Sequence, residues 1–564
     1  MVAAAALALP TAAWAHAALL KTFPVASTEL DTPPAAVRLV FSESVEPRFA
    51  VVSVTDAAAH QQIAGGVRRS QSNPDELVVP VRHLAEGWYL VFWRVISVDG
   101  HPVRGAFTFR IGPNPGPPPR FVVPSLSETA ATPRLLVARW ATFLSMMAAI
   151  GLFVLRTLIA RPLVGRVPET HLRHVSAAFA ATVGVALVAT PLYVLLATAQ
   201  FALRSVWDVG TLVPLMRVSA FGRGFVDLEL VLACFAVAGG VAIWLDPPDR
   251  LRRSIAALLA LAGALAAAGA ALLVPGVAGH AAQTKPRPLA LALDWLHLAS
   301  GSLWVGGLIG LLVLWRSLPV ARRTAGLAVS VPRFSNVALA SVLALLGSGI
   351  WASVLHLPTL ATLWQTSYGK AIVAKAAILL AAVLLAAVNL LRTKPRLRAG
   401  GDPEVGAGAA RLLRGLVGGE ALLVAGAVFA AALLSSLPPP PKALADLGSP
   451  SATAGPGPIA ATVNHDGYRL EFDVRPNKVA VPNAFVVRIT KDGKPVTGAE
   501  VTQTFTMLDM EMPSQTFRIK ETAPGVYRLS SPQLVMVGRW GLGLQVTPRG
   551  GAPFNVLFVD RAAG

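Results

Sequence analysis

The chain has 564 residues, of which 54% are hydrophobic and 14% charged, a balance typical of integral membrane proteins. Its formal net charge is +19, but the arginines lie mainly in short loops between apolar runs, which favours a membrane-topology signal over nucleic-acid binding. The single cysteine, Cys234, excludes intrachain disulfides and CxxC metal sites, so a transition metal would need histidine, methionine, carboxylate or amine ligands.

Residues 1–15 predict a secretory signal peptide. A short apolar run from Val2 ends in Ala13-Trp14-Ala15, which is an A-x-A cleavage pattern. Cleavage there would make His16 the first residue of the mature chain. Its free amine and imidazole could then chelate one metal ion, and this nitrogen pair suits Cu(II).

Residues 16–112 predict an antiparallel β-sandwich, because short alternating runs are separated by turn-forming residues. The predicted strands are 36–41, 49–55, 76–81, 88–96 and 106–111. A proline-rich connector at 113–133 follows.

A candidate Cu(II) site combines His16 with the loop before the last of these strands. Asp99 and His101 are two residues apart, so in an extended segment they project to the same side. With the His16 amine and ring they form a mainly nitrogen donor set. Glu43 is either an outer ligand or an acceptor for a group that touches the metal. The alternative is that His16 is an unpaired terminus and His101 a turn residue.

Eight apolar runs, each about 20 residues long, predict eight transmembrane helices in a membrane domain at 134–437. They are 134–156, 175–198, 224–245, 254–277, 289–315, 335–356, 371–391 and 414–436. The predicted inner loops carry more arginine than the outer ones, so both soluble domains are expected on the periplasmic side of a bacterial inner membrane.

Polar and soft side chains in this region form a candidate membrane path for copper. Asp294 and His297 are three residues apart and share a helical face, and His280 lies in the preceding loop. Met146 and Met147, in the first run, offer thioethers to Cu(I). Interhelical hydrogen bonding and ordinary packing are the alternatives.

A linker at 438–458 leads to a second alternating region, 459–564, which predicts another β-sandwich. Its predicted strands are 468–474, 484–490, 500–506, 525–529 and 540–546, and residues 491–495 predict a hairpin turn.

Methionines of this region form a candidate C-terminal site for Cu(I). They are Met507, Met510, Met512 and Met536. Thioethers suit Cu(I), but a sandwich core is the alternative role for these side chains.

The first region resembles the CopC family of periplasmic copper-binding sandwiches. The resemblance is carried by His16-Ala17-Ala18-Leu19, Phe41-Ser42-Glu43, the run from Trp93 to Pro102, and Gly105-Ala106-Phe107-Thr108-Phe109. It implies an Ig-like or cupredoxin-like fold that binds Cu(II) through His16, Asp99 and His101, with Glu43 at the carboxylate position. Residues 57–73 contain no methionine, which resembles the Cu(II)-only members.

The membrane region is similar to the CopD family of copper-resistance proteins. The similarity is carried by Phe221-Gly222-Arg223-Gly224, Gly279-His280-Ala281, Asp294-Trp295-Leu296-His297, Trp304-Val305-Gly306-Gly307 and Tyr368-Gly369-Lys370. It implies copper movement across the inner membrane, with His280 and His297 as ligands. The last region resembles YtkA-like modules, and the domain order resembles bacterial CopC–CopD fusions.

These features predict a copper-binding membrane protein, not an enzyme, that captures Cu(II) in the periplasm and transports copper. Its expected partners are copper ions, the bilayer and periplasmic copper proteins. The sequence has no G-x-x-x-x-G-K-[ST] motif, so ATP-driven pumping by this chain is not expected. Two alternatives stay open: a membrane-anchored copper chaperone or assembly factor without transport, and a histidine-brace copper oxidase.

Overall fold

The computed structural model describes residues 17–562, apart from residues 18, 27, 98, 99, 101, 116–131, 249–251, 283–285, 358, 361, 394, 397–402, 438–450, 480, 509–513, 536 and 537. The chain divides into two compact units. One is helical, and the other holds both β domains.

The first β domain is a sandwich of two four-stranded sheets. Its strands are β1 (Leu19–Phe23), β2 (Glu29–Leu30), β3 (Ala36–Phe41), β4 (Val51–Asp56), β5 (Arg68–Arg69), β6 (Glu76–Pro80), β7 (Gly87–Ile96) and β8 (Pro102–Ile111). One sheet has the order β1-β3-β6-β5 and the other β2-β8-β7-β4. The predicted sandwich is therefore confirmed.

Alternate residues of the central strands build the core of this domain. Leu39 and Phe41 of β3 are buried with Val91 and Trp93 of β7, and the rings of Phe41 and Trp93 pack edge to face at 5.5 Å. A Cβ at Gly105 would lie 2.7 Å from the Trp93 ring, so this position requires glycine. The core therefore lies directly beneath the hairpin of β7 and β8.

The predicted ranges of these strands differ from the observed ranges mainly at the strand ends. The range 36–41 coincides with β3, whereas β8 begins at Pro102 and not at residue 106 because it pairs with β7 along its whole length. Strands β1, β2 and β5 were not predicted, and two of them have only two residues. Such short strands depend on pairing with a neighbour, which a single-segment pattern does not reveal.

The helical unit contains α1 (Pro133–Val154), α2 (Arg161–Val164), α3 (Arg173–Ala202), α4 (Val209–Val218), α5 (Ala220–Leu245), α6 (Ile255–Ala278), α7 (Arg287–Ser317), α8 (Arg323–His356), α9 (Thr362–Gln365), α10 (Ser367–Val388) and α11 (Pro403–Leu434). A π-helical turn, Leu155–Ala160, joins α1 to α2, and a second, Asn389–Thr393, continues α10.

Eight segments among the described residues are long and apolar enough to cross a membrane, as the sequence predicted. The sixth and eighth begin at Val320 and Gly406, earlier than the predicted residues 335 and 414. A segment predicted from apolar residues ends at the first charged side chain. The hydrogen bonding of a helix, by contrast, continues through turns that carry arginine, such as those at Arg323 and Arg411.

Arg139 joins three helices of this unit from a buried position. Its guanidinium donates to the Tyr193 hydroxyl at 2.9 Å, to the Ser435 and Ser436 hydroxyls at 3.0 and 2.6 Å, and to the Ala432 carbonyl at 3.3 Å. These acceptors lie on α3 and at the end of α11. The arginine thus supplies donors to a carbonyl in the last turn of α11 and to the two hydroxyls that follow it.

The C-terminal β domain is a ten-stranded sheet folded around one core. Its strands are β9 (Ala452–Thr453), β10 (Ile459–His465), β11 (Tyr468–Arg475), β12 (Asn483–Lys491), β13 (Lys494–Pro495), β14 (Glu500–Met507), β15 (Gln515–Ala523), β16 (Val526–Ser531), β17 (Gly538–Thr547) and β18 (Phe554–Ala562). Strand β15 pairs first with β14 and then with β16, so it passes from one layer to the other. The predicted hairpin between β12 and β13 is present, with Asp492 and Gly493 at positive φ.

A buried carboxyl lies in this domain. Asn477 donates to Oδ1 of Asp560 at 2.9 Å, while Oδ2 of Asp560 and Oδ1 of Asn477 are buried without a hydrogen-bond partner among the described residues. Burial raises the pKa of the Asp560 carboxyl. A proton on Asp560 would supply the donor that this pair lacks.

We expect Asp560→Asn to stabilise the C-terminal domain at pH 8 by about 1 kcal/mol, because it keeps the acceptor for Asn477 and removes a buried charge. Since the folded pKa is raised, the wild-type domain is most stable below the unfolded pKa, near 3.9, and loses stability as pH rises through the folded pKa. The variant should lack this loss. The urea midpoint for proteolysis of the C-terminal domain in the full chain, compared at pH 5 and pH 8, measures it.

Asp492→Asn, in the exposed hairpin turn, is the matched control and should change neither the midpoint nor its pH dependence. An Asp560→Asn midpoint that falls below that of the wild type at pH 8 would contradict the expectation.

Candidate metal centre

Three predicted Cu(II) ligands, His16, Asp99 and His101, lie outside the described residues. The structure describes their immediate neighbours, which are Ala17, Ser97 and Gly100. The geometry of these neighbours shows how the chain approaches the predicted site from both sides.

A hydrogen-bonded chain connects the start of the domain to this loop. The Ala17 amide donates to Oγ of Ser97 at 3.1 Å, and Oγ of Ser97 donates to Oε1 of Glu43 at 2.5 Å. Ala17 and Ser97 are both buried. The residue after His16 is therefore tied to the residue two positions before Asp99.

Glu43 lies just beyond β3 and orients the Ser97 hydroxyl. Because Ser97 donates its only hydroxyl proton to Glu43, its oxygen lone pair is turned toward the Ala17 amide. This contact fits one of the two roles predicted for Glu43, that of an acceptor supporting the site. Metal ligation by Glu43 stays a prediction.

The loop between β7 and β8 begins with a tight turn. The Gly100 amide donates to the Ser97 carbonyl at 2.9 Å, and Gly100 has a φ of 86°, which side-chain-bearing residues rarely adopt. The turn returns the chain to β8 within a few residues. The described residues on either side of Asp99 and His101 are thus Ser97, Gly100 and the start of β8 at Pro102.

The two membrane candidates on α7 contact different neighbouring helices. Nδ1 of His297 lies 2.8 Å from Oγ of Ser348 on α8. Asp294 lies against α6, because a Cβ at Gly276 would come within 2.7 Å of its Oδ2. The side chain of His280 is outside the described residues, so its place in the path stays a prediction.

Lys375 of α10 belongs to the same group as Asp294 and His297. The sequence did not reveal this association. Lys375 interacts electrostatically with both Asp294 and His297. Lys375 lies within an apolar run of the sequence, but its partners on other helices cannot be read from spacing along one helix. The outer polar cluster, defined as Asp294, His297, Ser348 and Lys375, is a product of helix packing.

The predicted methionines of α1 are buried at helix contacts. Met146 and Met147 are 0% and 7% exposed. A Cβ at Gly301 would lie 2.5 Å from Cε of Met147, which places that methyl against α7 one turn beyond His297.

A second polar pair lies one further turn along α7. Trp304 donates from Nε1 to Oε1 of Glu420 at 2.7 Å, and Asn389 also hydrogen-bonds Glu420. Trp304 and Glu420 are both buried. Neither was predicted as a site residue, although an acidic residue within an apolar run was a signal for it.

The C-terminal methionines are only partly described. Met507 is 2% exposed, pairs with Trp540 across the sheet and belongs to the hydrophobic core. This position matches the core alternative for that residue. Met510, Met512 and Met536 lie outside the described residues. Among the described residues, no group of three or more His, Cys, Asp and Glu side chains is placed to hold a metal ion.

Three family models match the chain in order. They are a CopC domain at residues 19–112, Copper resistance protein D at 328–434 and a YtkA-like domain at 462–545. The second match covers the last three membrane segments, so Asp294 and His297 lie before it.

Similar proteins include the copper transport protein CutJ of Bacillus subtilis, which is 26% identical over 98% of this chain and 96% of its own length. Protein YobA of Escherichia coli is 35% identical over 17% of this chain and 80% of its own length. Copper resistance protein C of Pseudomonas syringae is 31% identical over 19% of this chain and 90% of its own. The crystal structure of CopC from Methylosinus trichosporium shows 31% identity over 18% of this chain and 99% of its own, with a TM-score of 0.17.

We expect Ser97→Ala to weaken Cu(II) binding by the full chain about tenfold, because it removes the hydroxyl that joins Ala17 to Glu43 and loosens the chain beside His16. Competition titration against a chelator of known affinity measures the change. Ser53→Ala, on β4 of the same domain, is the control and should bind as the wild type does. Unchanged affinity in a folded Ser97→Ala protein would show that this connection does not support the site.

Proposed function

Because the chain belongs to the copper transport and resistance family that joins CopC, CopD and YtkA-like domains in that order, we propose that its first domain captures Cu(II) in the periplasm and its membrane domain moves copper across the inner membrane. Copper is the cargo in this proposal. The first domain holds it through His16, Asp99 and His101, and the helices supply the route.

The hydrogen-bonded chain from Ala17 through Ser97 to Glu43 carries the proposal. A terminal histidine binds a metal tightly only when its backbone is already placed, since ordering a free chain end costs conformational entropy. The hydrogen bond between Ala17 and Ser97 forms when the domain folds, so this part of the entropy is lost before copper binds. The hydrogen bond from Ala17 to Ser97 supports the proposal that His16 and the loop bearing Asp99 and His101 bind one ion.

The charge distribution supports a periplasmic position for both β domains. The even number of candidate spans among the described residues supports a position of both β domains on the same side of the membrane. Arg161, Arg253 and Arg322, at helix ends or in connecting turns, fall on the opposite side, where the positive-inside rule expects cations.

The outer polar cluster is the proposed point of entry to the membrane domain. An imidazole such as His297 binds both common oxidation states of copper. Asp294 and Lys375 balance each other in charge there, so an arriving cation would compete with Lys375 for the Asp294 carboxylate. This exchange would lower the cost of bringing a cation into the membrane.

Two further groups follow along α7 in the proposed path. The Met147 methyl lies at Gly301, and Glu420 meets Trp304. His297, Gly301 and Trp304 lie on one face of the helix over a rise of about 10 Å. A thioether followed by a carboxylate offers Cu(I) a soft ligand and then a compensating negative charge.

We expect a two-residue extension before His16 to weaken Cu(II) binding by the full chain more than tenfold, because it removes the terminal amine from the chelate. His16→Ala, which keeps a terminal amine but loses the ring, is the companion variant and should also bind weakly. Competition titration provides both affinities. Equal affinities for the extended and mature proteins would exclude the amine as a ligand.

We expect His297→Gln to lower the initial rate of copper accumulation in proteoliposomes about tenfold, while Cu(II) affinity at the first domain stays unchanged. His174→Gln, at the start of α3, makes the same change away from the outer polar cluster and should transport normally. Copper binding without luminal accumulation by the wild-type protein would support the chaperone alternative and contradict transport.

A further inference from the structure

The C-terminal β domain covers one face of the hairpin that carries the predicted copper loop. Leu90 and Phe92 of β7 and Ala106 of β8 are 2%, 2% and 1% exposed. All three belong to the hydrophobic cluster of the C-terminal domain and not to the core of their own sandwich. Their burial is therefore an interdomain contact.

The alternation of β7 shows why this face needs a cover. Tyr89, Val91 and Trp93 project into the core of the first domain. Since successive side chains of a strand point to opposite faces, Leu90 and Phe92 project away from that core. Without the C-terminal domain, two large apolar side chains would face water.

A backbone hydrogen bond joins the two domains at the same place. The Ala106 amide donates to the Val535 carbonyl at 2.8 Å. Further along the same edge of β8, the Arg110 amide donates to the Thr28 carbonyl. Val535 thus extends the pairing of an open strand edge, and its side chain packs against the cores of both domains.

This contact is close to the predicted copper loop along the chain. Strand β8 begins at Pro102, directly after His101, and Ala106 lies about 13 Å further along it. The other strand of the hairpin, β7, ends at Ile96 beside Ser97, which holds Ala17. Both strands that support the loop are therefore clamped by the C-terminal domain.

We propose that docking of the C-terminal domain and Cu(II) binding at the loop are thermodynamically coupled. The docked domain holds β7 and β8 in the arrangement that the loop needs, so it acts as a positioning partner of the copper site. This rests on the proposed function, in that the loop must bind Cu(II). By linkage, Cu(II) must in turn strengthen docking by the same factor.

The test uses Val535→Asp in the full chain, because this change leaves every residue of the first domain intact. Hydrogen exchange of the 102–111 peptide measures docking through the Ala106 amide, and competition titration measures Cu(II) affinity. We expect faster exchange together with affinity about fivefold weaker. Val486→Asp, on the outer face of β12 and part of neither core, is the matched control and should change neither quantity.

Phe92→Ser provides the same test from the other side of the contact, and its agreement with Val535→Asp would separate coupling from a local folding defect. Adding Cu(II) to the wild type should slow exchange of the 102–111 peptide, whereas it should not do so in Val535→Asp.

Two results would overturn the proposal. Exchange at Ala106 that does not change in Val535→Asp would show that the contact does not hold β8, and faster exchange with unchanged affinity would show that there is no coupling. If the wild type failed to bind Cu(II), the proposed function would fail, while the exchange data would still report docking.

Discussion

The hydrogen bond from the Ala17 amide to Ser97 is the interaction on which the proposal of a copper site at the start of this domain rests. A metal site that uses a chain terminus must place a segment with the highest conformational freedom in the protein. In this domain one buried amide, one hydroxyl and the Glu43 carboxylate hold Ala17, the residue that follows His16. The core of this domain is closely packed, since Trp93 packs against Phe41 and leaves room only for glycine at position 105.

A comparable constraint shapes the membrane unit, where hydrocarbon offers polar groups no water. Arg139 is surrounded by acceptors from other helices, and Glu420 is bonded by Trp304. At another helix end, Asp246 accepts from Arg161 and Arg253 at 2.5 and 2.9 Å. These polar groups therefore hold the helices of the described unit together.

The β unit shows how the two faces of one sheet can serve two cores. Strand β7 gives Trp93 to its own domain and Phe92 to the C-terminal domain. Met507 was predicted as a Cu(I) ligand because of its thioether. The structure encloses this side chain in the core of the C-terminal domain, beside Trp540. A methionine in a strand is thus a candidate ligand only when packing leaves its sulfur accessible.

The domain order, both β domains, the number of membrane segments and the residue types suited to copper were all predictable from the amino-acid pattern, because hydrophobic period and segment length are local properties. It identified β3 and the β12 hairpin for the same reason. Only the tertiary structure decided that Ser97 holds Ala17, that Lys375 joins Asp294 and His297, and that Val535 meets Ala106. Each of these contacts joins residues far apart in the chain, and such pairing depends on how whole helices and sheets pack.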